Sequence, residues 1–155
     1  MYQRILVSID GSSTAERGLE EAVKLAKLCG SALQLIYVVD PTPFAVDFEA
    51  LGRNTGRVRE SIENEAQAML DAAKARALAA GAGQVETVLV QRTMARISER
   101  IVEQAKAWKA ELIVIGTHGR RGVGRMLLGS DAEQTVRISP VPVLLVRAPE
   151  GAASS

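Results

Sequence analysis

Apolar residues along this chain alternate between two spacings. "RILVSI", residues 4–9, is a short β-branched run that reads as a buried strand. It gives way to Ala15, Leu19, Ala22, Val23 and Ala26, which recur at helical spacing. Ser13 stands three residues before Glu16 as in a capping box, and Gly30 sits where a helix end turns left-handed. "ALQLIYVV" (32–39), "VETVLV" (85–90), "ELIVIG" (111–116) and "VPVLLVR" (141–147) read as four further strands. Val58, Ile62, Ala66, Met69, Ala73, Ala77 and Ala80 predict a second helix ended by Gly81 or Gly83. Its alanines imply close packing on a sheet. Ile97, Ile101, Ala105 and Trp108 predict a third helix with Thr93 as its N-cap, and "DAEQTVRIS" (131–139) a short fourth. "DPTPFAVDFEALGRN" (40–54) carries two prolines and no period, so it reads as an irregular loop leaving the second strand.

Strands alternating with helices, near-continuous in their apolar runs, predict an α/β protein: a single-domain, doubly wound, five-stranded parallel sheet with helices on both faces. Residues 1–148 form the domain and 149–155, "APEGAASS" with its first residue removed, a flexible tail. Two strand orders are common for such a sheet, and ligands bind at the carboxyl ends beside the reversal. Order 2-1-3-4-5 opens the crevice beside "QRTMAR" (91–96), which has no glycine and little room. Order 3-2-1-4-5 brings together "DGSS" after strand one and "GTHGRRG" after strand four, so it is the expected order.

Composition changes the picture little. At 155 residues the chain is long enough for one core, and no apolar run approaches the roughly 18 residues that span a bilayer. "MYQRILVSID" does not read as a signal peptide, and one cysteine, Cys29, favours a reducing, cytoplasmic setting. Cys29 and Trp108 are expected in the core. A net charge of +1 and five scattered aromatic residues argue against nucleic acid or membrane insertion. One histidine, one cysteine and no clustered carboxylates offer zinc no ligand set.

The segment that asks for chemistry is "GTHGRRGVGRMLLGS", residues 116–130, which follows the fourth strand. Glycines let backbone N–H groups converge on a ligand, and a helix N-terminus adds free N–H groups and about half a positive charge. Together these suit phosphate, with Arg120, Arg121 and Arg125 for a polyphosphate's charge. The alternative is a solvated loop of turns in which Ser130 only caps the fourth helix. A Walker A loop is excluded, because no lysine follows Lys109. The dinucleotide fingerprint fails as well, since "GVGRML" lacks the third glycine.

Gly116, two residues, Gly119, nine residues, then Gly129-Ser130 resembles the signature of the ATP-binding universal stress proteins. The likeness extends through "RILVSIDGSSTAERGLEEAVKLA", "LIYVVD", "AELIVIGTHG" and "SPVPVLLVR", nearly the whole chain. It implies ATP as ligand, with or without Mg2+. Gly119, Gly129 and Ser130 would meet the phosphates beside Arg120 and Arg121, with His118, Gly122 and Asp131 completing the loop's contacts. Gly116 and Thr117 would lie towards the ribose, Asp10 and the backbone near Ser8 on the adenosine side, and Val38 would offer its backbone to the adenine edge. The family's small-residue turn after strand three is replaced here by "QRTMARI", which alters that end of the pocket. The resemblance also implies a homodimer through residues 141–147, an apolar edge that needs cover.

Asp10 has two readings: a ribose, adenine or water-mediated Mg2+ contact, or a turn before the first helix. His118 could act as a base, accept a phosphoryl group, or only shape the loop. Three functions fit. The expected one is a regulatory module in stress response whose nucleotide occupancy modulates an unknown protein partner. A slow ATPase or phosphotransferase is the second, disfavoured because no base–orienter pair, catalytic lysine or carboxylate pair is evident. A dimeric stress module without nucleotide is the third.

Overall fold

The computed structural model of the protein describes residues 1–40, 55–118 and 128–148. The elements run β1 (Arg4–Ser8), α1 (Ser13–Cys29), β2 (Ala32–Val39), α2 (Thr55–Ala79), β3 (Gln84–Gln91), α3 (Ile97–Trp108), β4 (Leu112–Gly116), α4 (Ser130–Ile138) and β5 (Val143–Val146). The five strands form one parallel sheet in the order β3-β2-β1-β4-β5, as the loop chemistry required. Most of the expected loop 40–54, the whole tail 149–155, and Gly119, Arg120, Arg121 and Gly122 lie outside the described residues.

The sheet is apolar on both faces because each face has its own helix pair. Ile5, Val7, Leu33, Leu35, Leu112 and Val114 meet the buried residues of α1 and α2. Leu6, Ile36, Val38, Ile113 and Ile115 point the other way, against Ile101, Val102 and Ala105 of α3 and Ala132 of α4. The two-residue alternation of a strand survives here as a choice between two cores, with no polar side at β1's Ile5, Leu6 and Val7.

Several local expectations move. The N-cap of α1 is Ser12, not Ser13: Asp10 Oδ1 accepts from the Ser12 N–H (2.8 Å), which turns the chain so that Ser12 is still extended. Ser12 Oγ then accepts from Ala15 N–H (3.2 Å), and Ala15 cannot reciprocate as a glutamate would. Gly30 ends the helix at φ 70° as expected. The N-cap of α3 is Arg96, whose N–H is met by Glu99 Oε2 at 3.0 Å, while Thr93 accepts from the Arg100 guanidinium. In α2 the buried stripe is Ala66, Leu70, Ala73 and Ala77, with Ala80 exposed. Cys29 is only half-buried and Trp108 partly so, with the Arg4 guanidinium carbon 5.9 Å from its ring centroid. β5 is shorter than "VPVLLVR" suggested. Pro142 can give its carbonyl to Ile113 N–H (3.0 Å), but it has no N–H to extend the ladder.

Candidate functional site

The reversal of strand order falls between β1 and β4, so a crevice opens where those strands end. The chain leaves β1 through Ser8, Ile9 and Asp10. Gly11 takes φ 78°, and Asp10 Oδ1 is bound to the Ser12 N–H, so Asp10 does shape the turn into α1. Ile9 N–H donates to Ile36 O (2.8 Å), and this is the last rung of the β1–β2 ladder. In a parallel strand, alternate residues face the same neighbour, so the peptide groups of Val38 point to the side of Ile36 but lie past that rung. The side chain of Val38 is buried against α3 and α4. What Val38 offers the crevice is backbone.

On the other wall, β4 ends at Gly116 and the chain turns through Thr117 and His118. Gly116 is packed against the start of α1: a β-carbon there would come within 2.4 Å of Thr14 Oγ1 and 2.8 Å of the Thr14 carbonyl carbon. Its missing side chain therefore serves the packing of α1 on β4. Thr117 is buried and donates its N–H to Val146 O (2.9 Å). The His118 carbonyl accepts from Thr14 Oγ1 and from Ser12 Oγ (3.3 Å), which moors the loop to α1. The His118 ring bonds Thr117 Oγ1 through Nδ1 at 3.0 Å, and its Nε2 is buried with no partner among the described residues.

The described residues resume at Leu128. Gly129 donates its N–H to Thr117 O (2.7 Å), and a β-carbon on Gly129 would press that oxygen at 3.0 Å. This contact sets α4 down beside the end of β4. Gly129 is the N-cap and no side chain caps the helix, so Ser130 is the first helical residue and not its cap. The first intrahelical bond is Glu133 N–H to Gly129 O (2.9 Å), which leaves the N–H groups of Ser130, Asp131 and Ala132 at an open helix end. Burial lifts the Asp131 carboxyl above the usual range; the charge of Arg92 opposes this and that of Asp10 adds to it.

Ser8, Asp10, Val38, Thr117 and His118 thus lie at or just past the carboxyl ends of β1, β2 and β4, and Gly129, Ser130 and Asp131 at the start of α4. Four contributors were not anticipated. Ser12 and Thr14 act through hydroxyls that no spacing marks, and Arg92 and Asp40 form an ion pair across the ends of β3 and β2. The only signal for the latter pair was their place, each just after a strand. Among the described residues no group of three or more His, Cys, Asp or Glu could hold a metal ion, and no helix is long and apolar enough to cross a membrane.

A doubly wound α/β sheet whose crevice is bordered by an uncapped helix N-terminus and an open strand edge defines the class. Within that class, the model of the universal stress protein family matches residues 1–147, and the chain belongs to that family. Universal stress protein MJ0531 of Methanocaldococcus jannaschii is 35% identical over 150 residues, 97% of this chain and 85% of that one. A universal stress protein of Archaeoglobus fulgidus solved in complex with dAMP superposes with TM-score 0.69 at 27% identity, covering 94% of this chain and 98% of that one. Another universal stress protein, solved in complex with cAMP, has TM-score 0.69 at 27% identity, covering 94% and 97%.

Proposed function

We propose that the crevice binds an adenine nucleotide, ATP, and that occupancy changes a surface which a protein partner reads in the cytoplasm. The observation that carries this is the uncapped start of α4, where the N–H groups of Ser130, Asp131 and Ala132 open beside the mooring of Gly129 on Thr117. Such an end takes a phosphate without any side chain. Solved relatives in complex with dAMP and cAMP support the adenosine half. There the peptide groups of Val38, beyond the last β1–β2 rung, match the hydrogen-bonding edge of adenine. Asp10, held by the Ser12 N–H through Oδ1, is in this reading the acidic group on the adenosine side. In this reading Gly119, Arg120, Arg121 and Gly122 would supply further phosphate contacts.

Backbone geometry, not charge, governs affinity in this reading. Calorimetric titration of ATP into Gly119→Val and Gly129→Val should show losses of two to three decades. That corresponds to two or three charge-assisted hydrogen bonds at about 1.5 kcal/mol each. Arg120→Ala and Arg121→Ala should lose no more than about fivefold, because exposed ion pairs contribute at most about 1 kcal/mol. Glycine variants that bind like wild type beside arginine variants that do not would make the loop an electrostatic patch.

A further inference from the structure

Arg92 is the first residue after β3, and its backbone N–H donates to Val39 O (2.6 Å), so it is tied to the end of β2. Its guanidinium is held in place twice, by the Asp40 carboxylate through Nη1 and by Ala95 O through Nε (3.2 Å). Two of its five N–H donors are so engaged among the described residues. Strand alternation puts Arg92 on the sheet face of Val88 and Val90, and Asp40 on that of Ile36 and Val38. This is the face covered by α3 and α4, and α4 starts there. The field of Arg92 reaches Asp131 on that helix, as does that of Asp10. The ion pair therefore borders the same crevice, at the end away from residues 116–118.

Strands β4, β1 and β2 are consecutive in the sheet, and two strand spacings are about 10 Å. A nucleotide with its phosphates at the start of α4, laid across the end of β1, puts its base over the end of β2. We propose that Arg92, braced by Asp40, contacts the base of the bound nucleotide and is a determinant of base affinity, donating to a ring-nitrogen acceptor. This rests on the crevice binding a nucleotide. The segment "QRTMAR" is then a working wall of the site, although it has neither glycine nor an evident cavity. Asp40 holds the guanidinium in a fixed plane, so less side-chain freedom is lost on binding.

The test separates the two ends of the ligand. ATP and adenosine are titrated into wild type, Arg92→Ala, Arg92→Lys and Gly129→Val, with adenosine followed by ligand-observed NMR. Arg92→Ala should weaken ATP and adenosine alike, by about tenfold, the scale of one specific base contact. Arg92→Lys retains a cation opposite Asp40 but loses the planar fork. It should show a similar loss with an unchanged melting temperature, which separates the contact from a structural role. Gly129→Val should weaken ATP alone. If Arg92→Ala weakens ATP but leaves adenosine untouched, Arg92 meets phosphate and the inference falls. It falls equally if neither ligand responds in either Arg92 variant. Wild type that binds neither ligand would instead overturn the nucleotide reading itself.

Discussion

Gly116→Ala adds one methyl group where it has no room, against the start of α1. The new carbon would lie 2.4 Å from Thr14 Oγ1 and 2.8 Å from both the Thr14 carbonyl carbon and Thr14 Cβ. Rotating the threonine removes the first contact only, because the carbonyl carbon is backbone. Relief requires α1 to lift from β4, against which its buried Ala15, Leu19 and Ala22 hold it. Overpacking of this kind costs about 1–3 kcal/mol. The shift also breaks the Thr14 Oγ1–His118 carbonyl bond, worth about 1 kcal/mol. At roughly 2–4 °C per kcal/mol for a chain this long, melting should fall by roughly 5–15 °C. Differential scanning calorimetry without nucleotide measures this, with Gly83→Ala as control. Gly83 has negative φ and nothing within 4 Å of an added β-carbon, so alanine there should be neutral or stabilise by about 0.4–1 kcal/mol. If Gly116→Ala melts with wild type, the packing account of this glycine is wrong and its place in the signature needs a ligand after all.

Asp131→Asn should raise the melting temperature at pH 7. A carboxyl lifted by burial contributes stability only while protonated, and that contribution is lost as pH rises through its folded-state value. The gain should shrink in acid, below the range of ordinary aspartates; a gain constant with pH would point to another cause. Amide exchange at Val38, Asp131 and Ala132 should slow when ATP is added, and unchanged exchange at Val38 would deny the adenine contact there. The β5 edge, where Val143, Leu144 and Leu145 are only partly buried, should pair with a second copy. Sedimentation should show a dimer at tens of micromolar, and lysine at Val143 and Leu145 should give monomers or aggregates. A wild-type monomer would refute this.

The architecture was legible in the chain because the strands carry near-continuous apolar runs and each helix is apolar on one side. Ile5, Leu6 and Val7 can all be buried only in a sheet covered twice, and that requirement with the two polar loops leaves one strand order. Gly30 and Gly81 mark helix ends because glycine takes positive φ without steric cost, whereas Lys109 ends α3 at φ 57° with no such mark in its residue type. The start of α4 was legible for the same reason, as Gly129 and Ser130 are adjacent in the chain and their peptide groups belong to one helix end. Other features depended on which distant residues meet. Gly116 carries no sign that Thr14 will press on it, and nothing near Ser12 or Thr14 foretells that their hydroxyls hold the carbonyl of His118, more than a hundred residues on. Arg92 and Asp40 are separated by an entire helix and strand and meet because parallel pairing sets the ends of β2 and β3 level. Local conformational preference is written in the residue itself, whereas packing contacts and charge pairs exist only once the sheet has brought their partners together.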